Sequence, residues 1–261
     1  AACASALPFN ITMAHIHGGE TTLGAIDNAF RHSITHMSTY HFASTEVYKQ
    51  RIAELKQDRS HVYNVGALSF DNLRNLQLLS VEAFTEKYGI DLSKPTVLIT
   101  VHPETVAFEK NETYIRTFIE ALNELEGYQY LITMPNADTM GNMLRSYLEK
   151  YIAENPDKAW GFENLGTIGY LSAMKHCALM MGNTSSGMIE AAWFPKWVIN
   201  LGDRQKGRLA TANVCSIPFS KEQLLETVQS LKARRLPAGS NIYGDGHTAE
   251  KIIAILKQIH G

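Results

Sequence analysis

Cysteine is scarce: Cys3, Cys177 and Cys215 are the three in 261 residues, and they lie far apart. An odd, scattered set excludes a disulfide framework and a paired-thiolate zinc knuckle. No apolar run approaches the roughly 20 residues that span a bilayer. A dominant charge is missing as well. Twenty-four Lys+Arg stand against 26 Asp+Glu, a net charge of −2, so no broad field gathers nucleic acid or anionic lipid. Internal repeats, low-complexity tracts, a Gly-Lys-Ser/Thr phosphate loop and a Gly-x-Gly-x-x-Gly fingerprint are all absent. These absences predict a soluble, thiol-reduced, cytoplasmic protein with no nucleic-acid or membrane partner.

What is present is a chain that is 45% hydrophobic and long enough for one large domain or two small ones. Strand-like runs are expected at 10–14, 41–44, 61–65, 96–101, 130–134, 178–181 and 198–201. Helical patterns are expected at 24–37, 45–57, 70–78, 81–88, 111–125, 139–154, 167–175, 186–194, 221–233 and 248–259. Such β-then-α alternation predicts an α/β fold of parallel sheets covered by helices. The polar stretch Gly89–Pro95 is the expected break, giving two Rossmann-type domains, residues 1–89 and 90–261, the first of them incomplete. Residues Ala1–Phe9 read as the last turns of a helix running into a strand, so the chain is expected to open inside an element.

Ligands of such sheets sit beyond the carboxyl ends of the strands, which directs attention to the strand exits. The first exit reads His15-Ile16-His17-Gly18-Gly19-Glu20, then Gly24 to His32. Asp27 and Arg31 fall at helical i,i+4 spacing, suiting either a surface ion pair or, with His15, His17 and Glu20 nearby, acid–base chemistry. His32 and His36 share that spacing, but no His-Glu-x-x-His accompanies them and no metal site is expected. His102 follows the strand at 96–101, a position from which an imidazole binds phosphate or moves a proton. Pro135-Asn136-Ala137-Asp138 follows the next strand.

Gly182-Asn183-Thr184-Ser185-Ser186-Gly187-Met188-Ile189-Glu190 is the most informative stretch. Small hydroxyl residues and glycines opening a helix present free N–H groups to an anion, the arrangement of a phosphate or pyrophosphate cradle. Glu190 lies one turn on, where a carboxylate can accept from ribose hydroxyls. Arg204, Lys206 and Arg208 follow the next strand and can either pair with a diphosphate or form an exposed basic loop.

Together these stretches, with Asn64–Ala67 and Ile242–Gly246, resemble the hydrolysing UDP-N-acetylglucosamine 2-epimerases in order over essentially the whole chain. The resemblance implies a GT-B-like pair of domains and an elimination–hydration reaction that frees a manno-configured sugar and UDP. By matching position it implies catalytic roles for Asp27, Arg31 and His102, and UDP-binding roles for Asn136, Asn164, Thr184, Ser185, Ser186, Gly187, Glu190 and Arg204. Several family members carry Glu where this chain has His17, so either His17 or Glu20 takes that acid–base role. UDP-N-acetylglucosamine is the first expected substrate and UDP-N,N'-diacetylbacillosamine the alternative, for sialic-type or legionaminic-type acid synthesis. No metal or other cofactor is implied, and a homodimer or homotetramer is. The family's first strand and its Gly-Thr-Arg loop would precede Ala1, so the 261-residue chain alone is expected to have little activity.

Overall fold

The computed structural model describes residues 1–106, 108–135 and 141–260. The chain starts with a short helix α1 (Ala2–Ala6) and a 3-10 turn that ends at Asn10 in the left-handed region, φ 52°. The first strand therefore begins late, at β1 (Ala14–Ile16) rather than at residue 10. There follow α2 (Asp27–Met37), β2 (Tyr40–Ala43), α3 (Glu46–Lys56), β3 (Val62–Asn64), α4 (Leu68–Asn75) and α5 (Val81–Tyr88). The start of α3 is fixed by Thr45, whose hydroxyl accepts from the Tyr48 N–H, and α5 is opened by Ser80 and closed by Gly89 in the left-handed region. The three strands form a parallel sheet in the order β1-β2-β3.

A second parallel sheet is built from β4 (Thr96–Thr100), α6 (Asn111–Glu124), β5 (Gln129–Thr133), α7 (Gly141–Glu154), β6 (Ala159–Phe162), α8 (Gly166–His176), β7 (Leu179–Gly182), β8 (Trp197–Leu201), β9 (Val214–Ile217) and α9 (Lys221–Lys232). Its strand order is β6-β5-β4-β7-β8-β9. Counted from β4, this is the 3-2-1-4-5-6 order of the doubly wound fold, with its switch point between β4 and β7. The central strands β4, β7 and β8 are buried along their whole length, as expected of parallel strands covered on both faces.

The last helix, α10 (Thr248–His260), follows the second sheet in sequence but packs on the first. Ile252 shares a cluster with Phe42 and Val65. Its first turn is capped from α4: the Asp71 carboxylate accepts from the Thr248 N–H at 2.8 Å and the Ala249 N–H at 2.7 Å. The turn before α10 is tied to the end of the first sheet by Ala67 N–H donating to the Tyr243 carbonyl, so two stretches far apart in sequence meet. One apolar cluster runs from Ala43, Tyr48 and Ile52 through Phe70 to Leu98, Met180 and Val198, joining the two sheets. Among the described residues no helix is long and apolar enough to cross a membrane.

Candidate active site

The carboxyl ends of the two sheets meet through interlocked loops. The loop after β1 and the loop after β8 share the bond from Leu23 N–H to the Lys206 carbonyl, 2.9 Å. Gly24 lies so close that a Cβ there would strike the backbone of Asp203 and Arg204. Ile26 N–H donates to Thr105 Oγ1 at 3.2 Å, docking the start of α2 on the loop that carries His102.

On the first-sheet side, Glu20 is 2% exposed. Its Oε2 takes Arg208 Nη2 at 2.5 Å, and its Oε1 stands 3.4 Å from His17 Nδ1. Burial works to raise the Glu20 carboxyl. The imidazole of His17 and the cations Arg208 and Arg31 outweigh it and hold the group below the ordinary carboxylate range. Arg31 reaches back along α2 to the same loop, donating to Asn28 Oδ1 at 3.0 Å, Thr22 Oγ1 at 3.3 Å and the Glu20 carbonyl at 3.4 Å. Asp27 is exposed at the first position of α2, and its charge supports that of Arg31. His15 points elsewhere: its Nδ1 meets Thr35 Oγ1 at 3.2 Å, and burial, with Arg31 and His17 nearby, holds its imidazole down to about 4. No group of three His, Cys, Asp or Glu side chains among the described residues converges as a metal-ligand set.

On the second-sheet side, the switch point is closed by Asn183. Its Oδ1 accepts from the His102 N–H at 2.7 Å and its Nδ2 donates to the His102 carbonyl at 2.8 Å, clamping the exits of β4 and β7 together. The Asn183 carbonyl in turn accepts from Arg204 Nη1 at 3.1 Å and Gln205 Nε2 at 2.8 Å. The stretch after β7 is not the single helix expected over 186–194. It forms two 3-10 turns, Ser185–Gly187 and Glu190–Ala192. Thr184 caps the first, and its hydroxyl lies 3.2 Å from that of Ser186. Ser185 is exposed and Gly187 is buried.

Beneath the turns a line of hydroxyls runs from Ser186 to Tyr170 at 2.5 Å, on to Thr100 at 3.4 Å and then to Thr133 at 2.6 Å. A cavity of about 270 Å³ opens beside them, lined by Ser69, Asn72, Thr167, Tyr170, Ser186 and Glu190. Burial pushes the Glu190 carboxyl up, opposed by a bond from Ser69 and by the charges of His17 and Arg208. That mutual influence places His17, Glu20, Arg208 and Glu190 in one electrostatic neighbourhood, spanning both sheets.

One expected residue stands apart. Asn164 is exposed, and its Oδ1 accepts from Gly166 N–H at 2.6 Å to open α8. Asn136 lies outside the described residues. Sequence reasoning also passed over three residues that hold the site. Tyr170 and Gln205 are two, and Glu104 is the third, its buried Oε1 accepting from the N–H groups of Asp203 at 2.7 Å and Arg204 at 3.1 Å. Tyr170 sits within a helix and reads as core, whereas Glu104 adjoins His102 in a strand exit, the one positional signal available.

The UDP-N-acetylglucosamine 2-epimerase family matches residues 1–257. The chain belongs to this family. It is 38% identical over 225 residues to the GDP/UDP-N,N'-diacetylbacillosamine 2-epimerase (hydrolyzing) of Campylobacter jejuni, covering 86% of this chain and 59% of that protein. It is 31% identical over 259 residues to the UDP-N,N'-diacetylbacillosamine 2-epimerase (hydrolyzing) of Legionella pneumophila, covering 99% of this chain and 68% of that protein. This family member thus spans about three fifths to two thirds of the length of those relatives. Its fold is that of the UDP-GlcNAc 2-epimerase from Neisseria meningitidis solved with UDP-GlcNAc bound, with a TM-score of 0.81 at 17% identity over 98% of this chain and 72% of that one. The two parallel sheets are accordingly GT-B-like in arrangement.

Proposed function

We propose that this chain carries most of the working site of a hydrolysing UDP-sugar 2-epimerase whose substrate is UDP-N,N'-diacetylbacillosamine. The observation that carries the reading is the junction of strand exits, where the His17–Glu20 loop, the Thr184–Ser186 hydroxyls and Arg204 lie together across two interlocked loops. The Campylobacter and Legionella relatives, named for that sugar nucleotide, support this substrate. UDP-N-acetylglucosamine, first in the sequence reading and the sugar nucleotide bound in the Neisseria structure, stands second.

The reaction is an elimination followed by hydration. A base takes the proton from C2, and the C1–O bond to UDP breaks with its electron pair leaving on the diphosphate. Water then adds across the C1=C2 bond of the glycal, hydroxyl to C1 and a proton to C2 from the opposite face. The C2 proton is not acidic, so stabilising the charge that develops on the diphosphate carries much of the catalysis. Thr184, Ser185, Ser186 and the Gly187 backbone take that role with Arg204. By the resemblance Glu190 holds the ribose, Asn136 the uridine side, and His102 acts at phosphate and sugar. His17, partly exposed, and Asp27 exchange protons at C2, with Arg31 ordering their loop. Residues 1–89 thus supply the acid–base side and residues 90–261 the nucleotide side.

Proton NMR in deuterated water tests this. Incubation of the full-length protein carrying this sequence with each UDP-sugar is expected to release a manno-configured free sugar carrying deuterium at C2, faster from the diacetamido substrate. Asp27→Asn is expected to abolish release while leaving the Kd for UDP within about tenfold, roughly 1.4 kcal/mol. Intact sugar nucleotide beside tight UDP binding would instead mark a binding protein.

A further inference from the structure

Composition and spacing group Arg208 with Arg204 and Lys206 as cations available to a diphosphate. The structure separates it from them. The Arg208 side chain is 7% exposed. Its Nη2 is 2.5 Å from Glu20 Oε2 and its Nη1 donates to Gln205 Oε1 at 3.0 Å. Gln205 is itself bonded to the Asn183 carbonyl at 2.8 Å. A continuous polar line therefore runs from the exit of β7 through Gln205, Arg208 and Glu20 to His17 at the exit of β1.

The backbone beside Arg208 is pinned on two sides by buried tyrosines. Leu209 N–H donates to the Tyr48 hydroxyl at 2.8 Å, and the Tyr243 hydroxyl donates to the Leu209 carbonyl at 2.6 Å. At the other end of the line, His17 has φ 67°, in the left-handed region that a side chain with a Cβ enters at a cost of about 1 kcal/mol. Such a conformation persists where its surroundings over-determine it. Here the His17 N–H is held by the Phe42 carbonyl at 2.9 Å, and its ring faces Glu20. The next turn is held by Arg51, which donates to the Gly19 carbonyl at 2.9 Å and to Thr21 Oγ1 at 2.6 Å. Glu20, its side chain 3% exposed, is closed off from any ligand in the cleft.

We propose that Glu20 and Arg208 are positioning residues: their buried pair orients the His17 ring from the nucleotide-side loop, and neither touches the substrate. The proposal rests on the reading of His17 as an acid–base group. The Glu20 carboxylate, its Oε1 3.4 Å from Nδ1, favours the proton of the neutral ring on that nitrogen and leaves Nε2 as the basic atom. Because Arg208 lies in the loop after β8, that orientation is transmitted between the two sheets.

The test uses the whole chain with ¹⁵N-labelled histidine, the His17 signals being assigned by their loss in His17→Gln. Three variants are compared: Arg208→Lys, Glu20→Gln, and the double change Glu20→Gln with Arg208→Met, which leaves no buried charge without a partner. The wild-type ring is expected to show the Nδ1–H tautomer and the double variant a mixture. The Kd for UDP is expected to stay within about threefold in Arg208→Lys and in the double variant. On the substrate that is turned over, kcat is expected to fall about 30-fold or more with KM within about threefold, since orientation and not binding is lost. A UDP affinity that drops tenfold or more in Arg208→Lys would make Arg208 a diphosphate ligand and overturn the proposal. Unchanged His17 signals in the double variant would overturn it equally. If the full-length protein carrying this sequence turned over neither UDP-sugar, the epimerase reading would fall, while the ring signals and UDP affinities would still decide whether the pair sets His17.

Discussion

At the scale of single residues, the switch point depends on one absent side chain. Gly182 pairs with Thr100 across the parallel strands at φ 136°, and a Cβ there would run into the Thr100 carbonyl. Gly182→Ala is expected to cost about 2–4 kcal/mol and to weaken UDP binding in what still folds, measured by urea unfolding and calorimetry. The sequence marks this place well, because glycine followed by Asn-Thr-Ser-Ser after a strand has few other uses. It does not mark Tyr170, whose hydroxyl bonds Ser186 although its ring is that of an ordinary core residue on α8. Nor does it distinguish Arg204 from Arg208. Four positions apart in one loop, they differ only in what the fold brings opposite them: the Asn183 carbonyl for one and the Glu20 carboxylate for the other.

At the scale of elements, β2 to β5, β7 and β8 were legible, most plainly those buried on both faces. β4, β7 and β8 carry continuous apolar runs, and their expected and observed ranges agree within one or two residues. The edge strands β6 and β9 are only partly covered, so Trp160-Gly161 and Cys215-Ser216 interrupt any apolar pattern and neither strand was expected. The stretch 186–194 failed for a different reason. Its cap signal is genuine, with Thr184 capping the first turn, but the chain settles into two short 3-10 turns before Pro195 and β8.

The central strand β2 carries a consequence for pH. His41 is 1% exposed, and burial, with Lys56 and His15 nearby, holds its imidazole down to about 4. The unfolded chain binds that proton near pH 6.5, so between about 6.5 and 4 the unfolded state holds more protons and stability falls as the pH falls. Acidifying across this window is expected to remove about 2 kcal/mol through this residue. Urea unfolding at a series of pH values should show that slope in the wild type and a flatter one in His41→Leu.

For the whole molecule, sequence order and spatial order part company at α10. The pattern of Thr248–Ile259 identifies an amphipathic helix, but nothing in it says which sheet the apolar face covers. Its partners, Phe42, Val65 and the Asp71 cap, lie more than 170 residues earlier. Ile252→Ala is expected to destabilise the protein by about 2–4 kcal/mol, and because one apolar cluster joins both sheets, thermal unfolding followed by circular dichroism should remain a single transition at a lower midpoint. Independent melting of a separate unit would contradict that coupling.

The return of α10 also settles the threading of the chain. The first sheet takes its three strands from residues 14–64 and its covering helix from residues 248–260, and the second sheet, from β4 to α9, occupies one unbroken stretch between them. In topological terms the second sheet lies between the first and the helix that packs on it. The second sheet is thus one continuous segment, whereas the first and the helix packed on it come from two segments far apart in sequence, bound to the second by the shared apolar cluster.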